Sequence, residues 1–252
     1  MARTVRAVSV TGPLFKWFGS KWSASKHYPA PRFDRVVEPY AGSAGYALRF
    51  GAGRRVIIAE RDPHLRLLWR WLISEATAVQ ILEIPLDIPE GVDIRTLGLN
   101  IGQSTLLKTW QRTNNVGNCW TTSVWGSKPG QWTASTRARV AAEFSAVRSW
   151  ILTDSAEDLF ASPAAPATWF VDPPYQFNYR YKTAPLAYST LGAQLASLPG
   201  EVIVCEARDP KTGLAPNWLP FVDFRRTVTS RRKAGNHTHS AELICVLGEE
   251  RT

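Results

Sequence analysis

An α/β fold built on a mostly parallel, twisted sheet with helices on both faces is what three features of this sequence predict. Arg35-Val36-Val37-Glu38 is β-branched and runs into the small-residue turn Pro39 to Gly45; a short helical stretch and a second apolar strand, Arg55 to Glu60, complete one βαβ unit. Ala167 to Val171 and Glu201 to Glu206 are continuous apolar runs of the kind buried on both faces of a parallel sheet. Between these halves the composition changes, so residues 77–149 read as an inserted lobe and residues 1–76 with 150–252 as one domain.

Taken in order, Tyr46 to Phe50 suits a short helix that Gly51 to Gly53 stops. From Asp62 a second helix is expected, because Leu65, Leu68, Trp69 and Leu72 fall at i, i+3, i+4 and i+7. The middle segment carries Pro85, Pro89, several glycines and a polar run from Trp110 to Trp132, in which Trp120, Trp125 and Trp132 read as anchors of a small core rather than as stacking platforms. A further helix is expected to align Val140, Phe144, Val147 and Ile151 on one face, with Arg137, Arg139 and Arg148 elsewhere. Glu242 to Leu247 reads as the last strand.

The composition narrows the function classes. Hydrophobic residues at 44% and charged residues at 20% describe a folded chain, not a disordered one. No apolar run approaches the roughly 18 to 20 residues of a membrane helix, and the basic start Met1 to Arg6 lacks the apolar stretch of a secretory signal, so a cytoplasmic protein without membrane partners is expected. Thirty Lys and Arg against 21 Asp and Glu leave a formal charge of +9, which favours a polyanionic partner. Cys119, Cys205 and Cys245 are odd in number and lack zinc-ligand spacing; with only His237 and His239 close together, no metal is expected.

The sharpest chemical signal is Asp172-Pro173-Pro174-Tyr175 directly after a strand. Adjacent prolines fix φ and remove two backbone donors, leaving a stiff corner of carbonyl acceptors. An acid before it and an aromatic after it make a clamp for a planar ring bearing an exocyclic amine: Asp172 and the Pro173 carbonyl accept the N–H bonds and Tyr175 stacks on the ring. A plain rigid turn at a strand end is the alternative. Glu60, at the end of the second strand and about 20 residues past the glycine turn, is placed to bond ribose hydroxyls or is simply a solvated strand-end acid. Lys16 and Lys21 suit a ligand carboxylate and Trp17 an apolar surface, though surface residues would read the same.

These pieces resemble the Dam-like S-adenosylmethionine-dependent DNA adenine methylases, including small phage-borne members, over nearly the whole length. Phe15 to Lys21 resembles the amino-terminal cofactor motif, Val37 to Gly45 the glycine-loop motif and Asp172 to Tyr175 the amino-methylase signature, in the family's order. Trp218-Leu219-Pro220-Phe221 and Val202 to Glu206 are similar to carboxy-terminal segments of the phage-borne proteins. Ser20 departs from the pattern, standing where a glycine is frequent.

The resemblance implies a Rossmann-like methyltransferase domain with a target-recognition lobe at 77–149. It implies that Asp172, Pro173, Pro174 and Tyr175 are catalytic. The cofactor, S-adenosylmethionine (product S-adenosylhomocysteine), would be held by Lys16, Trp17, Gly19, Lys21, Glu38, Pro39, Tyr40, Ala41, Gly42, Ser43, Glu60, Arg61, Asp154, Ser155 and Asp172. Asp158 competes with Asp154 for the role beside the cofactor adenine. Double-stranded DNA is the implied partner. Arg112, Asn114, Asn115 and Lys128 are candidates for base contacts, and Arg231, Arg232 and Lys233, within a basic run that includes Arg225 and Arg226, for phosphates. A solvated basic loop is the alternative for that run. A monomer is expected, and a dimer is compatible. The reaction implied is methyl transfer to adenine N6; cytosine N4, RNA or a protein amide are alternative acceptors, and a catalytically inactive DNA-binding homologue is the alternative outside enzymes. A nicotinamide-dependent oxidoreductase is disfavoured by the tetrapeptide and the charge.

Overall fold

The structure is a computed structural model that describes residues 9–111, 119–124, 126, 128, 130–161, 165–176, 187–209, 211–212, 214–219, 224–229 and 241–247. Its strands are β1 (Arg35–Glu38), β2 (Arg55–Ala59), β3 (Ile151–Thr153), β4 (Ala167–Val171), β5 (Gly200–Ala207), β6 (Phe224–Thr229) and β7 (Ala241–Leu247). They form one 7-stranded sheet in the order β3-β2-β1-β4-β5-β7-β6. The β3 to β5 side is parallel throughout, and β7 runs antiparallel to both β5 and β6. The mostly parallel α/β architecture expected from the sequence is therefore present and is compatible with a Rossmann-like fold. Because the chain starts at β1, moves outward to β2 and β3 and then returns to β4 on the other side, its winding reverses between β1 and β4. Crossovers diverge there and leave a crevice beyond the carboxyl ends of the strands.

The helices are α1 (Gly45–Phe50), α2 (Pro63–Arg70), α3 (Ala78–Glu83), α4 (Ile101–Trp110), α5 (Ala134–Glu143), α6 (Ala156–Ala161) and α7 (Tyr188–Ala196). Several starts follow from local chemistry. Asp62 caps α2 by accepting from the N–H groups of His64 and Leu65, with Pro63 at the first helical position. Thr77 with Gln80, and Asn100 with Gln103, close reciprocal capping boxes on α3 and α4.

Strand alternation sorts the core into two layers. Phe170, Ile203 and Cys205 pack with Tyr46 of α1, Leu65, Leu68 and Trp69 of α2, and Val140 of α5. Their neighbours Trp169, Val171, Val202 and Val204 face the opposite way, against Phe160 of α6 and Leu191 and Leu195 of α7. Both faces of the central strands are thus covered, which is why these segments read as unbroken apolar runs.

Two local expectations change. Ile151 does not share the face of Val140: α5 ends at Glu143, Phe144–Val147 form a 3-10 turn, and Ile151 opens the edge strand β3, where it is exposed. Arg225 and Arg226 lie in strand β6, not in a loop. Within 77–149, Ile81, Ile94, Leu106, Trp110 and Trp132 join the same apolar cluster as α2, so no separate core for an inserted lobe is seen among the described residues. Trp132 is buried, Trp120 is partly so, and Trp125 lies outside the described residues. Cys205 and Cys245 are buried thiols, and Cys119 is a partly exposed one. Among the described residues no helix is long and apolar enough to cross a membrane.

Candidate functional site

The crevice at the winding reversal is a cleft whose empty space, including its open mouth, is about 970 Å³. Its walls come from the carboxyl end of β1 and the following loop (Glu38 to Ser43, with Gly45), from the end of β2 (Glu60 to Asp62), from α6 (Ala156, Glu157), from the corner after β4 (Asp172, Pro174) and from Trp17 to Lys21. Segments far apart in sequence converge there because strands β1, β2 and β4 are parallel neighbours that all end on the same edge.

The loop after β1 is tightly specified. Gly42 has φ +51° and Ala44 φ +47°, the left-handed region in which a side chain is disfavoured. A Cβ on Gly42 would come within 3.1 Å of the Trp17 ring, so the indole lies over the bare glycine. The Gly42 N–H donates to Glu60 Oε2 at 2.9 Å, and its carbonyl accepts from Trp69 Nε1 at 2.9 Å. A Cβ on Gly45 would sit 2.3 Å from the Trp22 backbone nitrogen. Glycine at that position lets the backbone of Lys21 and Trp22 pass against the start of α1, which fixes where Lys21 emerges.

Lys21 is buried, and its ammonium donates to Asp172 Oδ2 at 2.7 Å and to the Gly19 carbonyl at 2.9 Å. The same Nζ lies 5.1 Å from the centre of the Tyr175 ring, within cation–π range. The amino-terminal motif and the corner after β4 are joined through this one ammonium. Behind the corner, the Tyr188 hydroxyl of α7 donates to the Pro174 carbonyl at 2.8 Å, and Tyr175 packs against the apolar cluster of α1 to α5.

Acids cluster at the strand ends. Burial first, and then the neighbouring Asp172 charge, pushes Glu38 from 4.5 to about 8, although the backbone N–H of Ala47 and the charge of Lys21 oppose the shift. Glu60 and Glu206 are each pushed to about 7, again chiefly by burial. Glu206, at the end of β5, accepts from the N–H of Ala207 and lies close enough to Asp172 for that charge to raise it further.

The stability consequence has a definite sign. These acids release protons more readily in the unfolded chain, so their contribution is fully present below about pH 4.5 and is lost as pH rises through about 8. Glu38→Gln retains an acceptor for Ala47 and has no proton to lose. Urea midpoints measured from about pH 5 to about pH 8 should decline less in this variant than in the parent.

Of the residues expected at a cofactor, Trp17, Gly19, Lys21, Glu38, Pro39, Tyr40, Ala41, Gly42, Ser43, Glu60, Arg61 and Asp172 line the cleft. Lys16 does not; its ammonium donates to Gln131 Oε1 at 2.9 Å and lies over the Trp110 ring, which draws it into the 77–149 segment. Asp154 and Ser155 also stand off the cleft. Asp154 is exposed and lies 3.6 Å from Arg66, and the Ser155 hydroxyl accepts from the N–H of Asp158 at the start of α6. That region reaches the cleft through Ala156 and Glu157 instead. In the tetrapeptide, Asp172 and Pro174 line the cleft, Pro173 is buried and does not, and Tyr175 sits under Lys21.

Phe18, Ser20, Gly45 and Asp62 are further wall residues beyond the expected cofactor contacts; the first three lie inside the Phe15 to Lys21 and Val37 to Gly45 motifs, and Asp62 directly follows Glu60 and Arg61. Lys128 is exposed, whereas Arg112, Asn114, Asn115, Arg231, Arg232 and Lys233 lie outside the described residues, as do His237 and His239. Among the described residues no His, Cys, Asp and Glu cluster is arranged to hold a metal. Comparison with protein-family models and with curated proteins finds no match to this chain.

Proposed function

We propose that this chain is an S-adenosylmethionine-dependent amino-methyltransferase acting on the N6 amine of adenine in DNA. One observation carries the reading: the acid of the Asp-Pro-Pro-Tyr corner opens into the same cleft that the glycine loop and Glu60 line, so an amine held by that acid faces whatever occupies the loop.

The walls of the cleft suit this cofactor better than a dinucleotide. Even with Glu38 and Glu60 pushed by burial toward their neutral forms, the carboxylates of Asp62, Glu157 and Asp172 outnumber the two cations, Lys21 and Arg61. Such a field favours a positively charged ligand over a pyrophosphate. A pyrophosphate also needs free loop N–H groups at a helix start, whereas the Gly42 N–H is taken by Glu60 and the Ala44 N–H by the Ala41 carbonyl. Each oxygen of Glu60 accepts one backbone N–H and keeps lone-pair capacity for a ribose hydroxyl. Lys21 supplies a cation for the amino-acid carboxylate, and Trp17 covers the glycine loop.

When bound, the cofactor supplies an electrophilic methyl group on its sulfonium sulfur. The protein's part is alignment and charge. An adenine amine is a poor nucleophile because its lone pair is delocalised into the ring, and inside a duplex it is out of reach, so the base must be flipped at a cost of a few kcal/mol. Asp172, accepting from that amine, orients its lone pair toward the cleft and stabilises the positive charge that grows on nitrogen. Tyr175 offers its ring as a stacking face. The proton is more acidic after transfer and leaves to water with Asp172 assisting, so no covalent enzyme intermediate is needed.

The formal charge of +9 supports a nucleic acid as the carrier of the amine. DNA incubated with methyl-labelled cofactor, digested and analysed by mass spectrometry should yield labelled N6-methyladenine. Label on cytosine N4 would transfer the assignment to that amine, and unlabelled DNA would refute it. Affinity for duplex DNA should fall steeply as salt rises; a flat response removes DNA from the account.

A further inference from the structure

Lys21 stands where the substrate should be. Its ammonium makes the two contacts that the clamp would offer an exocyclic amine, a hydrogen bond to Asp172 Oδ2 at 2.7 Å and an approach of 5.1 Å to the Tyr175 ring. The side chains of this ion pair are only 8% and 17% exposed, so solvent screens it little. A neutral amine cannot displace a full positive charge from a carboxylate in such surroundings, because the ion pair adds a Coulomb attraction to its hydrogen bond that a neutral donor lacks. Asp172 Oδ1 is itself buried, so the clamp is closed to a base for as long as Lys21 occupies Oδ2.

Lys21 also borders the cofactor cleft, as do Gly19 and Asp172, so a short swing of a flexible side chain carries its ammonium to a second anion there. We propose that Lys21 is a gate that couples the two subsites: it fills the amine position until it turns to the carboxylate of a bound cofactor, and only then does Asp172 become available to the substrate amine. The inference rests on the functional reading above and adds an obligatory order, cofactor before base. Lys21 acts through Asp172 and is in this sense a positioning residue.

The consequence is measurable without DNA and without turnover. If Lys21 must leave Asp172 to meet the ligand carboxylate, apparent affinity is reduced by the fraction of molecules in which it is still held. Cutting the ion pair should then tighten binding only for ligands that carry the carboxylate. Calorimetry with S-adenosylhomocysteine and with 5′-methylthioadenosine, which lacks the amino-acid portion, separates the two cases.

Asp172→Asn should bind S-adenosylhomocysteine about tenfold more tightly than the parent protein, with 5′-methylthioadenosine unchanged, the latter also certifying the fold. In a Lys21→Met background the same asparagine substitution should have no effect on either ligand. Asp172→Ser, which also severs the pair, replaces the asparagine variant if that one does not fold. The gate is overturned if Asp172→Asn changes both ligands alike, weakens S-adenosylhomocysteine, or acts equally with Lys21→Met present. Failure of the parent protein to bind either ligand refutes the cofactor reading itself, which distinguishes the two failures.

Discussion

Asp172→Asn is expected to cripple methyl transfer without any loss of cofactor affinity: single-turnover rates should fall by about 10²- to 10³-fold, the usual loss when one preorganised electrostatic contact to a transition state is removed. The asparagine keeps the size of the side chain and one carbonyl acceptor but lacks the negative charge that the growing positive charge on nitrogen calls for. It also lacks the charge that pairs with Lys21 at 2.7 Å. Single-turnover measurement with labelled cofactor on DNA reads the chemical step, and calorimetry on the same preparation reads the cofactor. Near-parental turnover in the variant would remove Asp172 from the chemistry and with it the central assignment.

The largest expected effect on stability is at Trp69. This side chain is fully buried, meets Phe15 edge-on at 5.0 Å, stacks on Trp150 at 5.6 Å and donates its indole N–H to the Gly42 carbonyl. Trp69→Ala should cost about 3–5 kcal/mol of unfolding free energy, from lost burial and the cavity left behind. Trp69→Phe fills most of that space but leaves the Gly42 carbonyl without the indole donor, at about 1–3 kcal/mol. Urea unfolding gives both numbers. Because Gly42 also donates to Glu60, the phenylalanine variant should lose cofactor affinity as well, which a purely structural tryptophan would not cause.

What could be read beforehand follows from how local each signal is. The βαβ unit and the two central strands were legible because burial on both faces leaves an uninterrupted apolar run, as in Ala167 to Val171. The β1 loop was legible because Gly42 and Gly45 are demanded by backbone geometry. Edge strand β3 was not, since Ile151 to Thr153 is short and its partly exposed residues continue a helical spacing from Val140. Strand β6 reads as a basic loop because the adjacent Arg225 and Arg226 break any apolar–polar alternation in the sequence from Phe224 to Thr229. In the site, wall positions within motifs were within reach, but the direction of a long side chain was not. Lys16 and Lys21 are five residues apart in the same motif; one turns to Gln131 and the other to Asp172, a choice made by tertiary packing alone.

The seventh strand has a consequence for biosynthesis. Residues 241–247 slot between β5 and β6, so β6 has nothing to dock on until the ribosome has delivered the segment that follows it. In a nascent chain stopped earlier, β5 is an unpaired apolar border bearing Val202 to Cys205, the sort of template on which other chains assemble.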